Sequence, residues 1–183
     1  MPEKIPLPVL LAASWLALKV VLFYTGWVSD TFQAGVFLNL LFLVVLIYAA
    51  IRRSAVGGSF FDLVKASMRP AAMYVVLVSV GIYVYYSFLD DGFMDYRLEE
   101  AITSLDVYIE ENGGFEAYRE TDPSITELDK ESYLRKRRDE LGQYIFSPFA
   151  QTSYSILALT VIAFLYSLFM SSLFRFMASR VKR

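Results

Sequence analysis

Long apolar runs alternate with short polar breaks along this chain. The runs cover Ile5 to Trp27, Thr31 to Ile51, Pro70 to Leu89, and Phe149 to Phe174. Each approaches or exceeds the roughly 20 residues that an α-helix needs to cross a hydrocarbon core about 30 Å thick. Inside a bilayer only helices and closed barrels satisfy their backbone groups, and these runs lack the two-residue alternation of barrel strands. The pattern predicts an all-α membrane protein with four transmembrane helices, at about residues 5–27, 31–51, 70–89 and 149–174. Residues 1–183 then form a single membrane domain.

The breaks predict the rest. Val28-Ser29-Asp30 is short enough to force an antiparallel hairpin of the first two spans, with Trp27 at the outer interface. Between Gly57-Gly58 and Pro70, the residues Phe60, Phe61, Val64 and Met68 recur at helical spacing opposite Asp62, Lys65 and Arg69. That spacing predicts a short cytoplasmic interfacial helix before Pro70 opens the third span, although partner docking is an alternative use for it. The third run carries Tyr74, Tyr83, Tyr85 and Tyr86, and the tyrosines clustered near its end read mainly as headgroup anchors.

Residues 91–148 predict an extracytoplasmic helical hairpin inserted between spans three and four. Met94, Leu98, Ala101, Ile102, Leu105, Tyr108 and Ile109 form one apolar stripe that stops at Asn112-Gly113-Gly114. A second helix is expected from Asp122 or Ser124, with Ser124 to Glu127 as a capping box, through about Ile145. Leu128, Leu134, Leu141 and Ile145 would face inward.

Charge orients this arrangement. Residues 90–140 hold 16 acids and 7 bases, a net of −9, whereas the remainder of the chain nets +7. Lys4, Arg52, Arg53, Lys65, Arg69, Arg175, Arg180, Lys182 and Arg183 flank the runs. By the positive-inside rule both termini and the Arg52 to Arg69 loop are expected in the cytoplasm of a bacterial inner (plasma) membrane protein. Orientation already accounts for these bases, so nucleic acid is not an expected partner. Arg135 to Arg138 falls outside in this topology, where acids of the preceding helix can offset it. The apolar N-terminal run contains Lys19 and is too long for a secretory signal, so an uncleaved anchor is expected.

The chain contains no cysteine and no histidine. A disulfide, a thiol nucleophile, the common zinc ligand sets, axial haem histidine and a Ser-His-Asp triad are therefore excluded. Asp90, Asp91, Asp95, Glu99 and Glu100 do not follow the spacing of a twelve-residue calcium loop. Gly57-Gly58 lacks the Lys-Ser or Lys-Thr of a phosphate-binding loop. No catalytic residue, metal ligand or cofactor is expected.

Arg52-Arg53, Gly57-Gly58, Phe60-Phe61, Pro70, the aromatic third run, Asp90-Asp91-Gly92-Phe93 and Ser147-Pro148 occur in an order that resembles domain-of-unknown-function family 4199. These are small four-span bacterial membrane proteins with a charged helical segment before the last span. The resemblance covers nearly the whole chain and supplies architecture without a mechanism. It also implies a small-residue packing face on the fourth run, which here contains no glycine.

Lys19 is the sharpest chemical feature. A lysine near the centre of a span costs roughly 2.5 to 3.5 kcal/mol on an insertion scale, which the run's Ile, Leu, Val and Phe residues can offset. Counted from the outer ends, Lys19 lies about 12 Å deep, Asn39 about 9 Å, Tyr83 about 10 Å and Thr160 about 13 Å. These four residues define a candidate intramembrane polar layer that could hold a ligand or ion. Equally, Lys19 could snorkel outward while the others form packing hydrogen bonds. The leading expectation is a noncatalytic accessory or interaction subunit of the cell envelope, surrounded by the lipid bilayer and meeting a membrane-protein partner or forming a homo-oligomer. A small transporter or channel component built on the Lys19 layer is the alternative.

Overall fold

A computed structural model of the chain describes residues 5–26, 31–54, 59–121, 125 and 128–181. Among these the elements are seven α-helices: α1 Leu7–Thr25, α2 Thr31–Ser54, α3 Phe60–Phe88, α4 Gly92–Glu111, α5 Gly114–Thr121, α6 Lys130–Tyr144 and α7 Pro148–Val181. Four of them, α1, α2, α3 and α7, are long and apolar enough to cross a membrane. The chain divides into two compact units, Met1–Ile82 with Thr152–Arg183, and Tyr83–Gln151.

In the first unit, α1 opens with an extended Pro6 at its N-cap and closes on Gly26 at φ +61°, a left-handed conformation that glycine adopts at little cost. Its buried residues, Pro8, Ala12, Trp15 and Lys19, form one face and pack against α2. On α2 the inward positions recur every fourth residue as Gly35, Asn39, Leu43, Ile47 and Ile51. Helix α7 answers with Leu159, Ala163, Ser167 and Ser171 at the same spacing, so alanine and serine supply its small face. Tyr48 of α2 and Phe174 of α7 meet with ring centroids 5.7 Å apart.

The segment expected to form a separate interfacial helix is instead the start of α3, which runs through Pro70. A proline inside a helix removes one backbone hydrogen bond and costs about 3 kcal/mol. Burial of Leu63, Val64 and Ser67 before it, and of Ala71, Tyr74 and Val75 after it, offsets that cost by packing. Of the tyrosines clustered near the end of α3, Tyr83 is 44% exposed whereas Tyr85 and Tyr86 are buried. Tyr74 is buried too, on one helical face with Val78 and Ile82.

The second unit has its own core of Ile109, Phe115, Ile125 and Tyr133, with Leu105, Tyr118, Leu128 and Leu134 packed around it. It contains three described helices in place of the expected two. Gly113 and Gly114, at φ +99° and +82°, let the chain start α5 directly after α4, and α5 brings in Phe115 and Tyr118. Helix α6 begins later than expected, at Lys130, because the Asp129 carboxylate accepts the Ser132 N–H at 2.7 Å and caps it. Asp122, Ser124, Thr126 and Glu127 of the expected start lie outside the described residues, as do Trp27 and Gly57-Gly58.

Tyr133, which the leucine pattern overlooked, is the centre of this core. Its ring lies 5.7 Å from Phe115 and 5.8 Å from Tyr118, and the Arg137 guanidinium stacks over it at 5.5 Å. Two ion-pair sites tie α6 to α4: Lys130 to Asp106 and Glu110 at 2.7 and 2.6 Å, and Arg138 to Glu99 at 2.8 Å. Hydrogen bonds to Asp106 and Glu110 hold the Lys130 ammonium above the usual lysine pKa. Ile102 of α4 is buried whereas its neighbour Thr103 is exposed. Ile102→Asp is therefore expected to destabilise the unit by about 3 kcal/mol or more, and Thr103→Asp to stay within about 0.5 kcal/mol. Limited proteolysis of both variants in detergent checks this, and equal loss of resistance in the two would count against a packed core.

Candidate functional site

Two of the polar side chains buried in the first unit, Lys19 and Asn39, lie on α1 and α2. Trp15 is buried, and its indole Nε1–H donates to the Gly35 carbonyl at 2.9 Å. Lys19, one turn further along the same face, is only 1% exposed. A Cβ built on Gly35 would lie 3.4 Å from each of Lys19 Cδ, Cε and Nζ, so the lysine stem runs against bare α2 backbone. The Lys19 ammonium donates to the Thr31 carbonyl in the first turn of α2. Trp15 meets Gly35 while the later Lys19 reaches the earlier Thr31, an order that makes the two helices antiparallel.

Helix α3 closes the far side of this cluster. A Cβ on Gly81 would lie 3.5 Å from Trp15 Cζ3, so the indole sits between two glycines on neighbouring helices. Asn39, one turn below Gly35, accepts a 2.7 Å hydrogen bond from the Tyr74 hydroxyl through Oδ1. Asn39 and Tyr74 are both buried, and Phe42 makes an edge contact with Tyr74 at 6.4 Å.

The four residues of the expected polar layer thus have different placements. Lys19 and Asn39 are buried along the inward side of the α1 and α2 pair. Thr160 is exposed, beside the buried Leu159 on α7. Tyr83 is 44% exposed and falls in the other compact unit. The tyrosine that reaches Asn39 is Tyr74, nine positions earlier. Helix α3 is 29 residues long, about 44 Å at 1.5 Å per residue, well beyond a 30 Å core. A helix that overhangs the bilayer makes its end a poor origin for depth.

Chemically the cluster holds a cation on a backbone carbonyl and, further along α2, an amide that accepts from a phenol. The Thr31 carbonyl offers the ammonium a dipole, and no acidic residue lies within the α1 or α2 sequence. Lys19 is six residues from the end of α1, about 9 Å, and its ammonium turns toward the first residue of α2. A long stem against an apolar wall, with the charge led toward the end of the helix pair, is the geometry of a snorkelling lysine enclosed by protein. Among the described residues no group of three or more acids could hold a metal ion. Sequence patterning missed Trp15, Gly35 and Gly81. Their only local signals were the four-residue spacing of Trp15 with Lys19 and of Gly35 with Asn39.

Four apolar helices with an intervening charged helical unit define a multi-pass membrane protein. The chain belongs to the family described as "Protein of unknown function (DUF4199)", whose sequence model matches residues 9–179. No curated protein and no solved structure matches it.

Gly35→Ala is expected to leave thermal stability in detergent within about 1 kcal/mol, since the new methyl meets Lys19 at ordinary contact distance and alanine favours helix. Gly35→Leu should cost about 1–3 kcal/mol by forcing Lys19 and Trp15 off α2. Unchanged melting of the leucine variant would show that the two helices do not depend on this approach.

Proposed function

We propose that this is a noncatalytic protein of a bacterial inner membrane, with both termini in the cytoplasm, that serves as an accessory or interaction subunit through its Tyr83–Gln151 unit. The observation that carries this reading is the outward face of α4. The unit completes a core of its own and pairs many of its charges internally, yet α4 still exposes Tyr96 (66%), Val107 (50%) and Tyr108 (55%) beside Glu111. Exposed aromatic and aliphatic side chains rimmed by acids suit a protein partner with a complementary basic rim. The basic flanks Arg52, Arg53, Arg69 and Arg175 support the orientation.

Purification from native membranes with mild cross-linking should recover one stoichiometric partner. Val107→Arg, at unchanged abundance, should reduce that recovery about tenfold, in the range of a loss at an interface centre. Recovery unaffected by Val107→Arg and Tyr96→Ala would remove α4 from the reading. Ser104 is exposed on α4, so Ser104→Cys in this cysteine-free chain should react with an impermeant maleimide from the periplasmic side alone. Labelling from the cytoplasm only would invert the topology.

A second reading, a small transporter or channel component around Lys19, draws on the burial of that charge between spans. The interaction reading expects Lys19→Met to fold as well as the parent and to leave the cellular role intact, since methionine retains the stem and drops the costly ammonium. Loss of function in Lys19→Met at normal abundance and melting temperature, together with solute flux in proteoliposomes that the variant lacks, would favour transport instead.

A further inference from the structure

The first unit carries a second feature, remote in sequence from Lys19. Where α1 begins and α2 ends, a cleft of about 350 Å³ opens between α1, α2 and α3. Pro8, Leu46, Ala50 and Met73 are among its apolar walls, and among the described residues the charged ones lining it are Arg53 and Arg69. Both arginine side chains are exposed, and neither has an ion pair or hydrogen bond among the described residues. Arg53 lies in the last turn of α2, and Arg69 immediately precedes Pro70 on α3. An apolar slot between membrane helices therefore has two guanidinium groups among its lining residues.

We infer that this cleft binds an anionic glycerophospholipid, with its phosphate held by Arg53 and Arg69 and an acyl chain lying on Pro8, Leu46, Ala50 and Met73. Guanidinium forks match phosphate oxygens in a bidentate way, and basic pockets between spans suit acidic headgroups. The volume fits one acyl chain at the low end of small-ligand clefts. A soluble phosphate would use the arginines and leave the apolar walls wet, whereas a lipid satisfies both. Proline and alanine help keep the slot open. Pro8 and Pro70 bring no N–H to it, and Ala49 and Ala50 present only methyl groups. The inference needs only that the helices span a bilayer, so it stands or falls separately from the partner-binding role of α4.

The test uses the full-length protein in mild detergent, with dioleoyl phosphatidylglycerol, dioleoyl phosphatidylcholine and inorganic phosphate as probes. Native mass spectrometry should show retention of phosphatidylglycerol about tenfold better than phosphatidylcholine, with a matching rise in melting temperature, and inorganic phosphate should give neither effect. The double variant Arg53→Gln/Arg69→Gln should lose that preference. Arg52→Gln/Arg175→Gln, which removes the same charge from exposed positions that do not line the cleft, should keep it. Met73 is 42% exposed, so Met73→Trp can fill the slot without entering the core, and it should weaken lipid retention with both arginines intact. Equal losses in the two arginine pairs would reduce the effect to general surface charge and overturn the inference. So would equal retention of phosphatidylcholine, a phosphate response like that of the lipid, or full retention in Met73→Trp.

Discussion

The approach of α1 to α2 at Gly35 is the constraint on which the first unit depends. In a bilayer the lipid tails are as apolar as leucine, so hydrophobicity does little to press one span against another. Close van der Waals contact and hydrogen bonds between helices must do it. Gly35 allows both: its missing side chain admits the Lys19 stem, and its carbonyl receives the Trp15 indole. Gly81 lies against the six-membered ring of the same indole, which draws α3 to the pair. One turn below, Tyr74 and Asn39 add a buried hydrogen bond between α3 and α2. Bonds of this kind average about 0.6 kcal/mol in membranes, so no one of them is decisive and the packing is shared among them.

Lys19 follows from the same geometry. Its cost inside a span is reduced because the stem is covered by protein and the ammonium meets a backbone carbonyl near the end of the helix pair. A buried charge in a membrane is by default a hint of function. Thr160 is exposed on α7. Arg53 and Arg69 have no ion pair among the described residues, and the described lining of their cleft is otherwise apolar.

The second unit is stabilised by a different balance. Water surrounds a large part of its charged surface, so its helices are held by an aromatic core around Tyr133 and by ion pairs that are individually weak. Those pairs also explain how the basic run Arg135 to Arg138 is accommodated beside an acidic helix: Arg138 meets Glu99, Arg137 meets Glu140 and Arg135 meets Glu131. The pairs that cross between helices, Arg138 with Glu99 and Lys130 with Asp106 and Glu110, set the register of α6 on α4.

Hydrophobic periodicity by itself determined the four spans, the helical character of the segment between the third and fourth, and the inward positions Met94, Ile102 and Ile109, because run length and helical spacing are local properties. Charge flanks and the order of glycines, aromatics and acids also made the family legible. Tertiary structure alone decided that α3 passes through Pro70, since the packing that offsets a proline comes from other helices. It alone decided that α5 exists, because eight residues form a helix only when Phe115 and Tyr118 have a core to enter. The partners of Lys19 and Asn39 were equally out of reach of the sequence. Which residues share a depth depends on how far each helix overhangs the bilayer and on which faces meet, and both are set by packing between segments distant in the chain.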